Sequence, residues 1–275
     1  MSFMKIFKLH TGINEVPIEL TKENYENSIR GKDECKKISF GKTSYFAICP
    51  ACDNPIQIVG LYSKTDGTRF PYGKHYPKDL KIANFNYQYY QFCFLTSHKS
   101  LVGDRKNKKE EMTDFEKEIY DAFHDFFNEA MDIAEESCGI HFGKTRREKI
   151  ADSYLAAEGH MYFHANLYNL PWMLLYFADN FSCYGTTVKK NTELWNYLKT
   201  RNDVRMEESF LDGYDFVKNK DGKFLNLEIS FLFHRGNANG ETLTLCVLDP
   251  DKEGFEKKIV LNIDLRKFPE KIRKF

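Results

Sequence analysis

The sequence predicts an α+β protein built in segregated blocks: a β-rich, zinc-ribbon-like N-terminal unit, a central helical block and a C-terminal antiparallel β-meander. Three observations predict it. Residues 1–100 hold short β-type runs broken by Gly, Asn, Asp and Pro. Residues 113–200 hold apolar side chains at three- and four-residue steps behind helix start signals. From about Arg205 the pattern returns to alternation punctuated by hairpin turns. Runs of strands followed by runs of helices, rather than strict alternation, mark α+β rather than α/β.

In the first block the strand candidates are Met4–Lys8, Ile38–Phe40, Tyr45–Ile48, Ile56–Tyr62 and Tyr89–Leu95. The stretch 103–111 is dense in charge and reads as a solvated connector, dividing the chain into units 1–102 and 113–275. Thr113 and Glu116 match a capping box, and Phe115, Ile119, Phe123, Phe126, Ala130 and Ile133 follow at helical spacing. Thr145 with Glu148 opens a second helix carrying Ile150, Tyr154 and Leu155. A third starts at Asn169, with Pro171 in the first turn where its missing N–H costs little. Its residues Trp172, Leu175, Tyr176 and Phe177 make it the most apolar helix, and Thr192–Lys199 forms a short fourth. Strands are expected at Phe210–Val217, Lys223–Phe233, Glu241–Leu248 and Lys257–Asp264, with Asp221-Gly222 and Asn239-Gly240 as hairpin turns.

Bulk composition narrows the function classes. The chain has 275 residues, with Lys+Arg 40 balancing Asp+Glu 40. That balance leaves no overall basic footprint and counts against a dedicated DNA-binding module held by counterion release. Seven cysteines, an odd number and scattered, suit a reduced cytoplasmic protein better than a disulfide framework. No run approaches about 18 apolar residues, so no membrane span is expected, and the first residues lack a signal-peptide core.

Chemistry concentrates at Cys49-Pro50-Ala51-Cys52. Two thiolates on one tight turn can grip one metal ion, and such turns are the usual suppliers of structural zinc ligands. The spacing alone arises readily by chance. Its context strengthens it: Pro50 stiffens the turn, Tyr45 and Phe46 precede it, and Asn54-Pro55-Ile56 leads into a return strand. No second Cys-x-x-Cys follows. His75 and Cys93 are the favoured partners because both end predicted elements, and His98 or Cys35 could replace either. The competing reading is a pair of small buried thiols with His75 on the surface. A second grouping is Cys138 and His141 with His160 and His164; if 150–164 were one helix, the last two would share a face at ligand spacing. Met161 after His160 excludes the metalloprotease pattern.

The stretch Tyr45–His75, with Phe46, Cys49-Pro50, Cys52, Pro55-Ile56 and then His75, resembles the cysteine hairpin that heads CoiA-like competence proteins. That family couples a zinc-ribbon segment to a nuclease-like domain. The resemblance implies metal binding at Cys49, Cys52 and His75. The paired histidine ending of the family is absent.

Candidate reaction centres are fewer. A hairpin through Asp221-Gly222 would place Asp215 and Glu228 on neighbouring strands, where two carboxylates could hold Mg²⁺ for phosphodiester cleavage. A restriction-type nuclease wants a Lys two residues after the Glu, and this chain has Ser230. Ile38-Ser39-Phe40-Gly41-Lys42-Thr43 and Ile140-His141-Phe142-Gly143-Lys144-Thr145 share five of six residues, but neither is a phosphate-binding P-loop, since the earlier glycine falls at Lys36 or Cys138. Cys183 follows an apolar helix and reads as packing. Tyr87, Tyr89, Tyr90 and Phe92 beside Lys78, Lys81 and His98 could stack bases, or form strand core. The resulting expectation is a zinc-stabilised, non-enzymatic protein, with Zn²⁺ in a structural role, that binds a protein or nucleic-acid partner. The alternative is a divergent metal-dependent nuclease using Asp215 and Glu228.

Overall fold

The computed structural model describes residues 4–12, 15–62, 70–93, 95, 108–220, 225–237 and 240–273. The N-terminal part holds β1 (Ile6–Phe7), β2 (Ile18–Glu19), α1 (Lys22–Ser28), β3 (Lys36–Ser39), β4 (Lys42–Ile48), β5 (Pro55–Val59), β6 (Tyr72–His75) and α2 (Tyr87–Phe92). Strands β3, β4, β5 and β6 form one antiparallel sheet in chain order. Alternation along β4 and β5 buries Phe46, Ile48, Ile56 and Ile58, and Tyr25 of α1 covers the face by donating its hydroxyl to the Phe46 carbonyl at 2.7 Å. Thr21 caps α1 by accepting the Asn24 N–H at 3.1 Å. The sheet matches the expected β-rich unit. One element differs: of Tyr89–Leu95, expected as a strand, the first four residues fall on the helix α2. Its aromatic run carries no periodicity of its own, and the Asn86 side chain caps the helix by accepting the Tyr89 N–H at 3.2 Å.

The central block holds α3 (Asp114–Cys138), β7 (Ile140–His141), α4 (Lys144–Ala156), α5 (Leu170–Phe177), β8 (Phe181–Ser182), β9 (Thr187–Lys189) and α6 (Glu193–Lys199). The expected capping box opens α3, with the Thr113 N–H donating to Glu116 Oε2 at 2.9 Å. The helix bends at Phe126, whose φ and ψ are non-helical, and ends on Gly139 in the left-handed region. Helix α4 starts at Lys144, with Gly143 rather than Thr145 at the N-cap position. Every residue of α5 is buried, as its composition predicts, and it packs against α3, α4 and the C-terminal sheet. Strands β7, β8 and β9 were too short to register as periodic patterns. They matter because they tie the helices to the C-terminal strands.

Those are β10 (Val204–Glu208), β11 (Tyr214–Asn219), β12 (Glu228–Asn237), β13 (Gly240–Leu248) and β14 (Lys257–Ile263), followed by α7 (Lys267–Ile272). They form two sheets rather than one meander. Strands run β14-β13-β12-β8 in the first and β10-β11-β9-β7 in the second. A single buried hydrophobic cluster runs from Met4 to Ile272. The presumed solvated connector also contributes to packing: residues 103–107 lie outside the described residues, whereas Lys108 bridges to Tyr162 and the Lys109 N–H donates to the Met161 carbonyl at 2.8 Å. The Lys109 ammonium pairs with the fully buried Glu116. No helix among the described residues is long and apolar enough to cross a membrane.

Candidate metal centre

Strand β4 runs into a tight reversal and β5 carries the chain back, with Ile48 paired to Pro55. Residues 49–54 make the turn. The Cys49 N–H donates to the Asn54 carbonyl at 2.8 Å, and the Asp53 N–H donates to the Cys49 carbonyl at 3.1 Å. Asp53 takes a φ of 56°, a left-handed conformation that Asp tolerates better than most residues. Its carboxylate accepts the Gly12 N–H at 2.9 Å and pairs with Lys8. Burial alone would lower the fully buried Lys8 ammonium, but Asp53 and Tyr168 reverse the sign and hold it above its ordinary value. Lys8 also donates to the Tyr168 hydroxyl at 2.9 Å, so the turn is tethered to the central block.

The turn presents Cys49 and Cys52. His75 arrives from the end of β6, held beside β5 by its pairing with Ile56, and Cys93 from the C-terminal end of α2. The four ligand atoms all lie within 4.8 Å of one another. Cys49 Sγ is 3.6 Å from Cys93 Sγ, and Cys52 Sγ is 3.3 Å from His75 Nε2. A tetrahedral zinc with Zn–S of about 2.3 Å and Zn–N of about 2.0–2.1 Å needs S···S edges of about 3.8 Å and S···N edges of about 3.6 Å. These two of the six edges are within a few tenths of an ångström of those figures, and none of the six exceeds 4.8 Å. At 3.6 Å the two sulfurs are far beyond a disulfide's length of about 2.05 Å.

The electrostatics suit a cation. Burial pushes the Cys49 and Cys93 thiols up, and both hydrogen-bond with neighbouring cysteines. Burial would raise Cys52 as well, but hydrogen bonds from Cys49 and Cys93 and the adjacent His75 hold it below the ordinary thiol value. Three sulfurs and one imidazole are a soft donor set that favours zinc over magnesium or calcium. Four protein ligands close a tetrahedron with no open position, which marks structural rather than catalytic zinc sites. Exposure of only 0 % at Cys49, 4 % at Cys52, 3 % at Cys93 and 9 % at His75 seals it from solvent.

Asn54 is the supporting residue that sequence reasoning missed. It is fully buried, its Nδ2 donates to the Cys52 sulfur and to the Cys52 carbonyl at 3.3 Å each, and its Oδ1 accepts the Asn86 N–H at 2.6 Å. One side chain therefore orients a ligand and fastens the helix that carries another. Its place two residues after Cys52, before Pro55, was the available signal. The edge of the Tyr90 ring meets His75 at 5.3 Å between centroids.

The other candidates are placed elsewhere. Cys35 is buried outside the cluster, its thiol pushed up to about 11 by burial, and His98 lies outside the described residues. The second grouping does not assemble because 150–164 is not one helix. Helix α4 stops at Ala156, Glu158 turns left-handed at φ 50°, and His160 sits in a short 3₁₀ turn against Tyr120. A Cβ on Gly159 would stand 2.2 Å from the buried Tyr154 ring, so this break is specified by close approach. His141 pairs with Glu135 at 3.0 Å, and Cys138 faces the Glu135 carbonyl. His164 packs beside Tyr162 and His234.

Asp215 and Glu228 are a correction as well. The expected turn at Asp221-Gly222 lies outside the described residues, and the two acids are not on neighbouring strands, because β11 and β12 belong to different sheets. Asp215 is already engaged: Trp195 Nε1 donates to it at 2.7 Å and Lys190 pairs with it at 3.3 Å, which anchors α6. Glu228 accepts from Asn180 at 3.3 Å. Ser230 is buried, as is Cys183, whose thiol burial pushes up to about 12, the opposite of an activated nucleophile. Of the aromatic group, Tyr89 packs on Phe115 and Tyr90 on His75, while Tyr87 is exposed; the side chain of Phe92 lies outside the described residues. Compared with known proteins, the chain matches no family model, no curated protein and no solved structure. The likeness to the CoiA-like hairpin therefore stands on its local ligand pattern alone, and no family is assigned.

Proposed function

We propose that this protein is a non-enzymatic binding protein whose N-terminal unit is held by one structural Zn²⁺ at Cys49, Cys52, His75 and Cys93. The observation that carries the reading is the convergence of four soft ligands, from a reversal, a strand end and a helix end, into a buried and closed set. Bound there, zinc ties β4, β5, β6 and α2 into one body and so fixes the surface that this unit presents. The partner is a macromolecule, protein or nucleic acid. Support for a binding role comes from large apolar side chains left exposed in the same unit, among them Ile38, Phe40 and Phe70. The placement of Asp215 and Glu228 on strands of different sheets removes the hairpin argument for the nuclease alternative.

Elemental analysis of protein purified without chelator tests the metal: stoichiometric zinc is expected, and none after denaturing dialysis against a chelator. Protein that folds without any bound metal would sink the reading. Co-purification from the native host that recovers neither a specific protein nor nucleic acid would remove the binding role.

A further inference from the structure

The β3–β4 hairpin stands out from the rest of the surface. Ser39 pairs with Lys42, so Phe40-Gly41 is a two-residue turn, and both residues are left-handed, with φ of 49° and 71°. That is the primed hairpin turn for which Asn-Gly is the favoured sequence, because Asn tolerates the left-handed region and a bulky aromatic does not. The strained residue is also the most exposed large apolar side chain among the described residues, at 104 %, and Ile38, two residues before it on β3, is 76 % exposed. Nothing in the fold requires Phe40: Tyr25 of α1 covers this face as far as Tyr45, rings 6.2 Å apart, and the hairpin runs on beyond it. An aromatic that is both strained and uncovered points to a use outside the fold.

The surrounding charge identifies what it meets. Residues 36–43 carry Lys36, Lys37 and Lys42 and no acid. Lys36 makes one long pair with Asp33 at 3.8 Å, and neither Lys37 nor Lys42 takes part in an ion pair among the described residues. Lys37, Ser39 and Lys42 lie on the face opposite Ile38, and Lys36 lies on the face of Ile38, so both faces of the hairpin carry a cation behind the aromatic tip. We propose that this hairpin binds single-stranded nucleic acid, Phe40 stacking on an unpaired base while Lys36, Lys37 and Lys42 meet the flanking phosphates. Base faces and phosphates together match an aromatic tip between cations. Unpaired bases fit better than a duplex, because one phenyl ring stacks on a free base without having to unstack a pair. A bilayer offers less, since only two apolar side chains would insert. The net neutrality of the whole chain fits local contact rather than long-range steering.

This inference deepens the binding reading above by naming the partner class and the contact. The test is fluorescence anisotropy of the zinc-loaded full chain with labelled oligo-dT and oligo-U of about 16 nucleotides and a duplex of the same length. Both the wild type and Phe40→Asn are titrated. Single strands are expected to bind in preference to duplex, with a log–log salt slope no steeper than about −2 for three phosphate contacts. Phe40→Asn is expected to weaken binding by about tenfold or more, yet to raise the thermal midpoint by relieving the turn, a combination that a merely structural Phe would not give. Failure of the wild type to bind either single strand at low salt overturns the proposal. So does binding that Phe40→Asn leaves unchanged, a preference for duplex, or Phe40-dependent binding to phosphatidylserine vesicles without oligonucleotide binding. Zinc content measured on the same samples separates the two readings: zinc-loaded chain that ignores the oligonucleotides overturns this inference alone, and zinc-free chain that binds them overturns the metal reading alone.

Discussion

Cys49, Cys52, His75 and Cys93 are carried by a turn, a strand end and a helix end that the N-terminal sheet already holds side by side. Cys138, His141, His160 and His164 are carried by the two ends of a helical block, separated by the 13-residue α4 and by a left-handed break after it. Both groups offer sulfur and imidazole, and one member of the second comes near the first: His164 lines the same cavity of about 10 Å³ as Cys52, Cys93 and Lys109. Only the first group points its ligand atoms at a common centre. The difference teaches that ligand chemistry is cheap in a chain with seven cysteines and eight histidines, and that backbone convergence decides which of it can hold an ion.

Removing a ligand from the first group should have the largest effect. Cys52→Ser removes one of the three sulfur ligands and is expected to abolish zinc retention and lower the thermal midpoint by about 10 °C or more, given that structural zinc supplies folding energy directly. Differential scanning calorimetry with zinc analysis on the same sample checks it. Next comes Glu116→Gln, which breaks the pair with Lys109, a residue lining that cavity. Burial alone would raise the Glu116 carboxyl, and the Lys109 ammonium holds it below its ordinary value instead. Lys109 itself sits below its ordinary value because burial outweighs that attraction, so the pair adds little net and is costly chiefly when one member is removed. The substitution should cost about 3 kcal/mol and leave zinc bound. Because the folded carboxyl is depressed, its contribution is complete above its unfolded value of about 4.3 and disappears as pH falls through the folded value. Urea titrations should therefore show the wild-type advantage shrinking on acidification below about pH 4.

A smaller effect is expected at Asn54→Ala, which keeps all four ligands but loses the hydrogen bond to Cys52 and the link to α2. Zinc affinity should fall by about 10- to 100-fold in a competition titration, with the fold intact. An unchanged affinity would reduce Asn54 to a turn residue. At the small end, His164→Ala and His160→Ala should leave zinc content where it was; loss of zinc from either would mean that the second group does reach the ion.

Much of this contrast was legible in the residues. The Cys49–Cys52 reversal, the partners His75 and Cys93, the capping box at Thr113 and the buried helix at Pro171 all follow from local chemistry that tertiary packing reinforces. What failed was the placement of elements relative to one another. Asp215 and Glu228 look adjacent in sequence because only twelve residues, with Asp221-Gly222 among them, lie between the two, yet β11 and β12 belong to different sheets, a choice set by pairing with the three-residue β9 and the two-residue β8. The repeated hexapeptide makes the same point more sharply. In the first copy Phe40 caps an exposed turn, while in the second Phe142 is 1 % exposed between β7 and α4. Identical residues took opposite environments because one is followed by a return strand and the other by a helix that needs its apolar neighbour buried.

Cobalt substitution tests the central claim most directly. Reconstituting the chelated protein with Co²⁺ reports ligand number and type together, since thiolate–cobalt charge transfer and strong visible bands belong to a tetrahedral thiolate-rich site. The account predicts a stoichiometric tetrahedral spectrum with three sulfurs and one nitrogen, displaced by equimolar Zn²⁺ and absent in Cys93→Ser. A weak octahedral spectrum, or one that survives the loss of Cys93, would contradict it.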